Sequence, residues 1–119
     1  MISLNINDRL LELLKNRNLV PSGLLENILL NLKGKDLQEA LLEEGLISKE
    51  KLTDLLAEIL EWKVLTGKEF KPDEEAMKSI PPFLIKFHNF IPLKIEEKTL
   101  HVGFFPPVRL SAIEDIRLL

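Results

Sequence analysis

Two histidines, His88 and His101, are the first residues to consider for chemistry, because an imidazole can bind a metal ion or carry a proton. A metal site would need a further ligand close by, which Glu96 or Glu97 could supply. The structural interpretation places His88 at a helix C-terminus, where its charge favours the helix dipole, and His101 on the solvent side of a strand. We favour the structural interpretation, so no metal or cofactor site is predicted.

Paired carboxylates could in principle perform general acid–base catalysis. The sequence holds Glu43 beside Glu44, Glu96 beside Glu97, and an acidic run over 73–75. Neighbouring residues of a helix point away from each other, so these groups are better explained as solvated faces and partners of helix dipoles. The sequence also offers no Ser-His-Asp constellation, and we predict no catalytic residue.

A phosphate-binding loop would require G-x-x-x-x-G-K followed by Ser or Thr, because backbone amides must cradle the phosphates while the hydroxyl reaches magnesium. The only Gly-Lys pairs are at 34–35 and 67–68, and they are followed by Asp36 and Glu69. The upstream glycine is also absent, since these positions hold Leu29 and Trp62. ATP hydrolysis by this chain alone is therefore not predicted.

The composition suits a globular chain that buries one core or two small ones. It has 119 residues, 45% of them hydrophobic, and no cysteine. Its net charge is −3, with seven basic and eleven acidic residues over 1–62 and nine and eight over 63–119. This distribution lacks the clustered basic face that nucleic acid requires. Apolar runs are far shorter than the roughly 20 residues that cross a bilayer, and no leader follows Met1, so we expect a cytoplasmic protein.

The elements that must position any site begin with a degenerate tandem repeat at an offset of 27 residues. Each copy has leucines four apart, a break at Asn18 or Gly45, an apolar pair, and a second apolar series at helical spacing. The matched pairs are Leu10 and Leu37, Leu14 and Leu41, Leu19 and Leu46, Val20 and Ile47, Leu25 and Leu52, Ile28 and Leu55, Leu29 and Leu56, and Leu32 and Ile59. The pattern predicts a helical subdomain over 1–62.

Four amphipathic helices are expected in that subdomain. The first should span 7–17 with Asn5 or Asn7 as its N-cap, and the second 22–33 with Gly34 as its stop. The third should start at Asp36 and end at Gly45, and Ser48 should open the fourth.

Residues 63–119 are expected to form a small α+β subdomain. Prolines introduce two short helices, ending near Ile80 and Lys86, and strands over 90–95 and 100–105 form a hairpin. Ser111 with Glu114 predicts the N-cap of a closing helix. The aromatic residues are assigned mostly to the core, with Phe105 the most exposed; the group is Phe83, Phe87, Phe90, Phe104 and Phe105. The fold class is thus α+β: a tandem helix-turn-helix four-helix bundle followed by a mixed part.

This order of elements resembles the N-terminal domain of the type II secretion and type IV pilus assembly ATPases, the GspE or PilB class, in the MshEN-like superfamily. The resemblance spans nearly the whole chain. It is carried by the unit from Leu37 through Glu44, Gly45, Leu46, Ile47 and Ser48 to Leu56, by Ile80-Pro81-Pro82, by the strand Phe90-Ile91-Pro92-Leu93, and by the helix over 110–116.

The resemblance implies a noncatalytic docking module. In that family the domain holds a cytoplasmic hexameric motor against the cytoplasmic part of an inner-membrane assembly protein. It implies two partners, the inner-membrane component and the motor domain of the parent ATPase, and a location peripheral to the inner membrane. It also implies that residues 63–119 are truncated before that motor domain. A stand-alone adaptor, or the same module fused to another enzyme such as a glycosyltransferase, remains an alternative.

A branch of the superfamily binds cyclic di-GMP through tandem copies of a motif close to R-L-G-x-x-L-x-x-x-G, which closes on a glutamine. In the first copy Arg9, Leu10 and Leu14 match, but Leu11 and Asn18 replace the glycines, and Leu32 stands at the closing position. In the second copy Leu37, Leu41 and Gly45 match, but Asp36 replaces Arg, Gln38 replaces Gly and Ile59 replaces Gln. An aspartate facing phosphate is repulsive, so the sequence argues against this ligand.

The first helix is the predicted partner-binding surface, because it carries more apolar residues than one buried stripe needs. The residues assigned to partner binding are Asp8, Arg9, Leu11, Glu12 and Lys15. A fully buried first helix is the alternative.

Overall fold

The computed structural model describes residues 5–65 and 71–117, and these divide between Lys63 and Val64 into two compact units. The first unit contains four helices: α1 (Ile6–Asn16), α2 (Ser22–Leu30), α3 (Leu37–Glu43) and α4 (Lys49–Leu60). The second contains α5 (Glu74–Lys78), α6 (Pro82–His88), β1 (Phe90–Glu96), β2 (Thr99–Phe104) and α7 (Leu110–Arg117). The predicted α+β class is confirmed. None of the helices in the described part of the chain is long and apolar enough to cross a membrane.

The helices of the first unit start where polar side chains can accept from the free amides of the first turn. Asn5 accepts from the Asp8 amide at 3.1 Å, which settles the choice between Asn5 and Asn7 as the cap of α1. Asp36 accepts from the Gln38 amide at 3.0 Å and Ser48 from the Lys51 amide at 3.1 Å. These contacts replace the hydrogen bonds that helix ends otherwise lack.

The two repeat copies turn in the same way. Asn18 and Gly45 both adopt positive φ, 51° and 67°. The next residue then donates its amide back to the preceding helix, from Leu19 to the Leu14 carbonyl at 3.0 Å and from Leu46 to the Leu41 carbonyl at 3.1 Å. Most repeat positions are buried, and the exceptions are only partly so: Leu19, Leu29, Leu32 and Leu46. The repeat therefore encodes the core and the turns of this unit.

Helix α2 ends at Leu30, three residues before the predicted end. The Asn31 side chain donates to the Asn27 carbonyl at 2.7 Å, which satisfies a terminal carbonyl of the helix. Lys33 and Gly34 then both have positive φ, 49° and 84°. The chain turns over two left-handed residues, whereas the sequence suggested that Gly34 alone would stop the helix.

The hairpin of the second unit is slightly longer than predicted. Glu96 pairs with Thr99, so the turn consists of Glu97 and Lys98 alone, with φ of 50° and 65°. Two consecutive positive φ values suit the right-handed twist of a two-residue hairpin loop. The register shifts between Pro92 and Lys94, and the carbonyl of the intervening Leu93 accepts from the Asp73 amide at 2.7 Å.

Two details of the second unit correct the sequence analysis. Helix α7 begins at Leu110, so Ser111 lies inside the helix and is not its N-cap. Phe83 and Phe87 are not core residues, because their exposed fractions are 69% and 67%. They lie four apart on one face of α6, whereas Phe90 is buried and packs on Phe104 with the ring centroids 5.8 Å apart.

Candidate functional site

The predicted partner-binding residues lie together on the outer side of α1. Asp8, Arg9, Glu12 and Lys15 are exposed, and Leu11 is partly buried. The core residues of this helix, Ile6, Leu10 and Leu14, fall on the opposite side at helical spacing. We call the set of Asp8, Arg9, Leu11, Glu12 and Lys15 the α1 surface.

The α1 surface is chemically mixed. It carries two acidic and two basic side chains around one leucine, so its formal charge is zero. Among the described residues the alternative of a fully buried first helix is not met, because Leu11 and Leu13 are only partly buried. Such a surface can recognise a partner through one apolar contact edged by charges that select orientation.

A hydrogen-bond network occupies the place where the second copy of the nucleotide motif would begin. Asn7 Nδ2 donates to Asp36 Oδ1 at 2.9 Å, and Gln38 Nε2 donates to Asn7 Oδ1 at 3.1 Å. Asp36 Oδ2 meanwhile accepts from the Gln38 amide. Gln38 is only 1% exposed. The two residues that replace Arg and Gly are thus used to join α1 to α3.

The two replacements are visible in the sequence, but the network is not. From the sequence, Asp36 is predicted only to cap a helix and to repel phosphate. Its bond to Asn7, 29 residues earlier, depends on how the repeat copies pack. No local pattern signals it.

A groove lies between α2 and α3, with a volume of about 200 Å³. Its apolar lining includes Leu24, Ile28, Ala40 and Leu46. The polar lining residues are Asn27, Asn31, Lys35, Glu43 and Glu44. The groove is not evident from the amino-acid sequence, because its leucines, Leu24 and Leu46, would also fit a helix core.

The groove rim contains an ion pair between Lys35 Nζ and Glu43 Oε2, 2.6 Å apart. The hydrogen bond to Glu43 raises the pKa of Lys35, and the charges of Glu43, Glu44 and Glu39 act in the same direction. One cation thus lies among three carboxylates.

His88 makes a contact that the sequence did not reveal. It is the last residue of α6, as expected, but it is buried, with 4% exposure. Its Nε2 lies 2.8 Å from Asp115 Oδ2 on α7, and its Nδ1 has no hydrogen-bond partner among the described residues. The role predicted from the helix dipole is therefore incomplete, because His88 also joins α6 to α7.

The second histidine lies at the surface of the hairpin. His101 Nε2 is 3.9 Å from Glu96 Oε2, and Lys94 Nζ is 3.1 Å from the same oxygen. The hydrogen bond from Lys94 lowers the pKa of Glu96. Within the described ranges no three His, Cys, Asp or Glu residues are grouped so that they could hold a metal ion.

Comparison with known proteins identifies the family. The MshEN domain model matches residues 60–119, half of the chain, so the tandem repeat lies almost wholly outside the match. No curated protein matches.

Two solved structures share the fold. The N-terminal domain of XpsE has a TM-score of 0.81 at 21% identity, over 99% of this chain and 83% of that one. The structure of MshE with cdg has a TM-score of 0.73 at 23% identity, over 96% of this chain and 81% of that one. The two structures show the fold, and because the family model covers half of the chain, the chain belongs to the MshEN domain family.

Proposed function

We propose that this chain is a docking module of a secretion or pilus assembly ATPase. In this proposal the α1 surface binds the cytoplasmic part of an inner-membrane assembly component, and the module works in the cytoplasm at that membrane. The observation that carries the proposal is the exposure of Asp8, Arg9, Glu12 and Lys15 around the partly buried Leu11. The residues 63–119 would continue toward the motor domain of the parent ATPase.

The chain is not itself an enzyme. It belongs to the MshEN domain family, and its sequence lacks the phosphate-binding loop that ATP hydrolysis needs. Its contribution is recognition. For such a contact, truncation of a central side chain costs on the order of 1–3 kcal/mol of binding, whereas a rim charge contributes less.

Cyclic di-GMP binding is the second candidate function, and the structure of MshE with cdg favours it. The residues of this chain favour docking instead. Asp36 and Gln38 stand where the motif has Arg and Gly, and both are engaged with Asn7. A nucleotide that bound there would have to break these hydrogen bonds, and its phosphate would face a carboxylate. Both effects lower the affinity for the nucleotide.

The docking proposal is tested by titrating the cytoplasmic domain of the inner-membrane component from the same system into the chain. We expect Arg9→Glu and Leu11→Asp each to raise the dissociation constant by about tenfold or more. Two matched controls, Lys49→Glu on α4 and Leu30→Asp on α2, make the same changes at exposed positions outside the α1 surface. Unchanged affinity in both α1 variants, with the fold intact, would refute this surface.

The competing function is tested by calorimetric titration with cyclic di-GMP, with ATP as a control. We expect no binding by the folded chain. Micromolar binding that disappears in Arg9→Ala would make the chain a second-messenger sensor.

A further inference from the structure

The groove between α2 and α3 is separate from the α1 surface and has no role in the docking proposed above. Its walls come from two helices, and its lining combines apolar side chains with amides, carboxylates and one lysine. Sites of this construction, formed between neighbouring helices, are well suited to receive a third helix.

The size of the groove indicates what it can hold. Its volume of about 200 Å³ is below the range of roughly 300–1,000 Å³ that is usual for small-molecule sites. It is sufficient for one or two aliphatic side chains. An anchor residue of a protein partner therefore fits better than a nucleotide or a cofactor.

The leucines of α2 provide the apolar part of the surface. Leu24 lines the groove and is 48% exposed. Covering an exposed leucine with apolar groups lowers the free energy. Ile28, one turn later, is buried and extends the same apolar strip. Leu30 is 84% exposed but does not line the groove, which makes it a useful comparison.

The charged residues of the groove indicate the sign of the charge that a partner should carry. The charged side chains that line the groove are Lys35, Glu43 and Glu44, which gives the lining a formal charge of −1. Lys35 is already paired with Glu43, and Glu44 is exposed and lines the same groove. Residues 1–62 as a whole hold eleven acidic and seven basic side chains, so the long-range field favours a cationic partner as well.

From this combination we propose that the α2–α3 groove binds a basic amphipathic helix of a partner protein. One or two aliphatic side chains of that helix lie against Leu24, Ile28 and Leu46, and its lysines or arginines face Glu43 and Glu44. The inference does not depend on the α1 surface, because it concerns different side chains.

The test uses two synthetic helical peptides of about 16 residues, long enough to form a helix on binding. Both carry leucines at i, i+3, i+4 and i+7; one has lysines at the remaining positions and the other glutamates. Amide chemical shifts of the chain are followed by NMR during titration. We expect the lysine peptide to shift the amides of 24–31 and 40–46 and the glutamate peptide to leave them unchanged.

Two pairs of variants separate this groove from a general attraction to an acidic protein. Leu24→Ser should weaken binding of the lysine peptide about fivefold, whereas Leu30→Ser should change its affinity by less than about twofold. Glu44→Lys should weaken it more than Glu12→Lys, which makes the same charge change on α1. Equal effects within either pair, or shifts that map to α1, would overturn the proposal.

Discussion

Asn7 and Asp36 join the two copies of the repeat through a hydrogen bond of 2.9 Å between Asn7 Nδ2 and Asp36 Oδ1. The second oxygen of the same carboxylate caps α3 by accepting from the Gln38 amide. Gln38 completes the arrangement by donating its side-chain amide to Asn7. One carboxylate therefore stabilises both the start of a helix and its attachment to α1.

We expect Asp36→Ala to lower the free energy of unfolding by about 1–3 kcal/mol, because it removes a helix cap and leaves the Asn7 amide without its acceptor. Ser48→Ala is the matched control, since Ser48 caps α4 through the Lys51 amide and should cost about 1 kcal/mol. Urea denaturation measures both. Equal losses would show that the bond to Asn7 contributes nothing beyond the cap.

The turn residues Asn18 and Gly45 predict opposite effects of introducing and of removing a glycine. Gly45→Ala should destabilise the chain by about 1 kcal/mol, because φ is 67° and alanine disfavours this conformation. A new Cβ would meet no atom within 4 Å, so the cost is conformational and not steric. Asn18→Gly should be neutral or stabilising, since Asn18 already adopts φ of 51°. Thermal unfolding provides the measurement. Gly45→Asn should cost less than Gly45→Ala, and the reverse order would contradict a conformational cause.

The pair of Arg17 and Glu58 predicts a pH dependence of stability. The guanidinium donates to both carboxylate oxygens, with 2.9 Å between Nη1 and Oε2, and these bonds lower the pKa of Glu58 from its usual 4.5. A lowered folded-state pKa means that the pair stabilises the chain above pH 4.5, and that this contribution is lost as pH falls through the folded-state value. Glu58→Gln should therefore be less stable than the parent at pH 7 and equal to it at low pH.

The measurement is chemical denaturation at several pH values, with Glu12→Gln as the control for loss of an exposed carboxylate. Arg17 and Glu58 are both exposed, so the effect of Glu58→Gln should be modest and should shrink in high salt. A difference that persists below the folded-state pKa would exclude the ion pair as its cause.

The contact between His88 and Asp115 predicts how α7 is held. Asp115→Ala should lower the free energy of unfolding by about 1–3 kcal/mol, because the buried Nε2 of His88 loses its partner. Asp115→Asn should cost less, since its amide oxygen can still accept. Hydrogen exchange should show lost protection in α7 for Asp115→Ala.

Glu114→Ala is the matched control on the same helix, because Glu114 is exposed next to Asp115. Its exchange rates should stay close to those of the parent chain. If both alanine variants loosened α7 equally, the contact with His88 would not be what attaches this helix.

The local features of the fold were predictable from the amino-acid sequence because they depend on neighbouring residues. The repeat of leucines predicts the four helices, and Asn18 and Gly45 mark the two equivalent turns. Helix caps followed the same logic at Asp36 and Ser48. The exceptions have local causes too, such as the Asn31 side chain that ends α2 early.

The sequence by itself determined the helical repeat, the hairpin, the family resemblance and the absence of a phosphate-binding loop, because each is a pattern of residues close in the chain. Only the tertiary structure decided which polar groups meet. Asn7 reaches Asp36 across 29 residues and His88 reaches Asp115 across 27. It also decided that Phe83 and Phe87 are exposed and that α2 and α3 leave a groove. Apolar side chains favour burial in general, and only the packing of the helices selects which of them are covered.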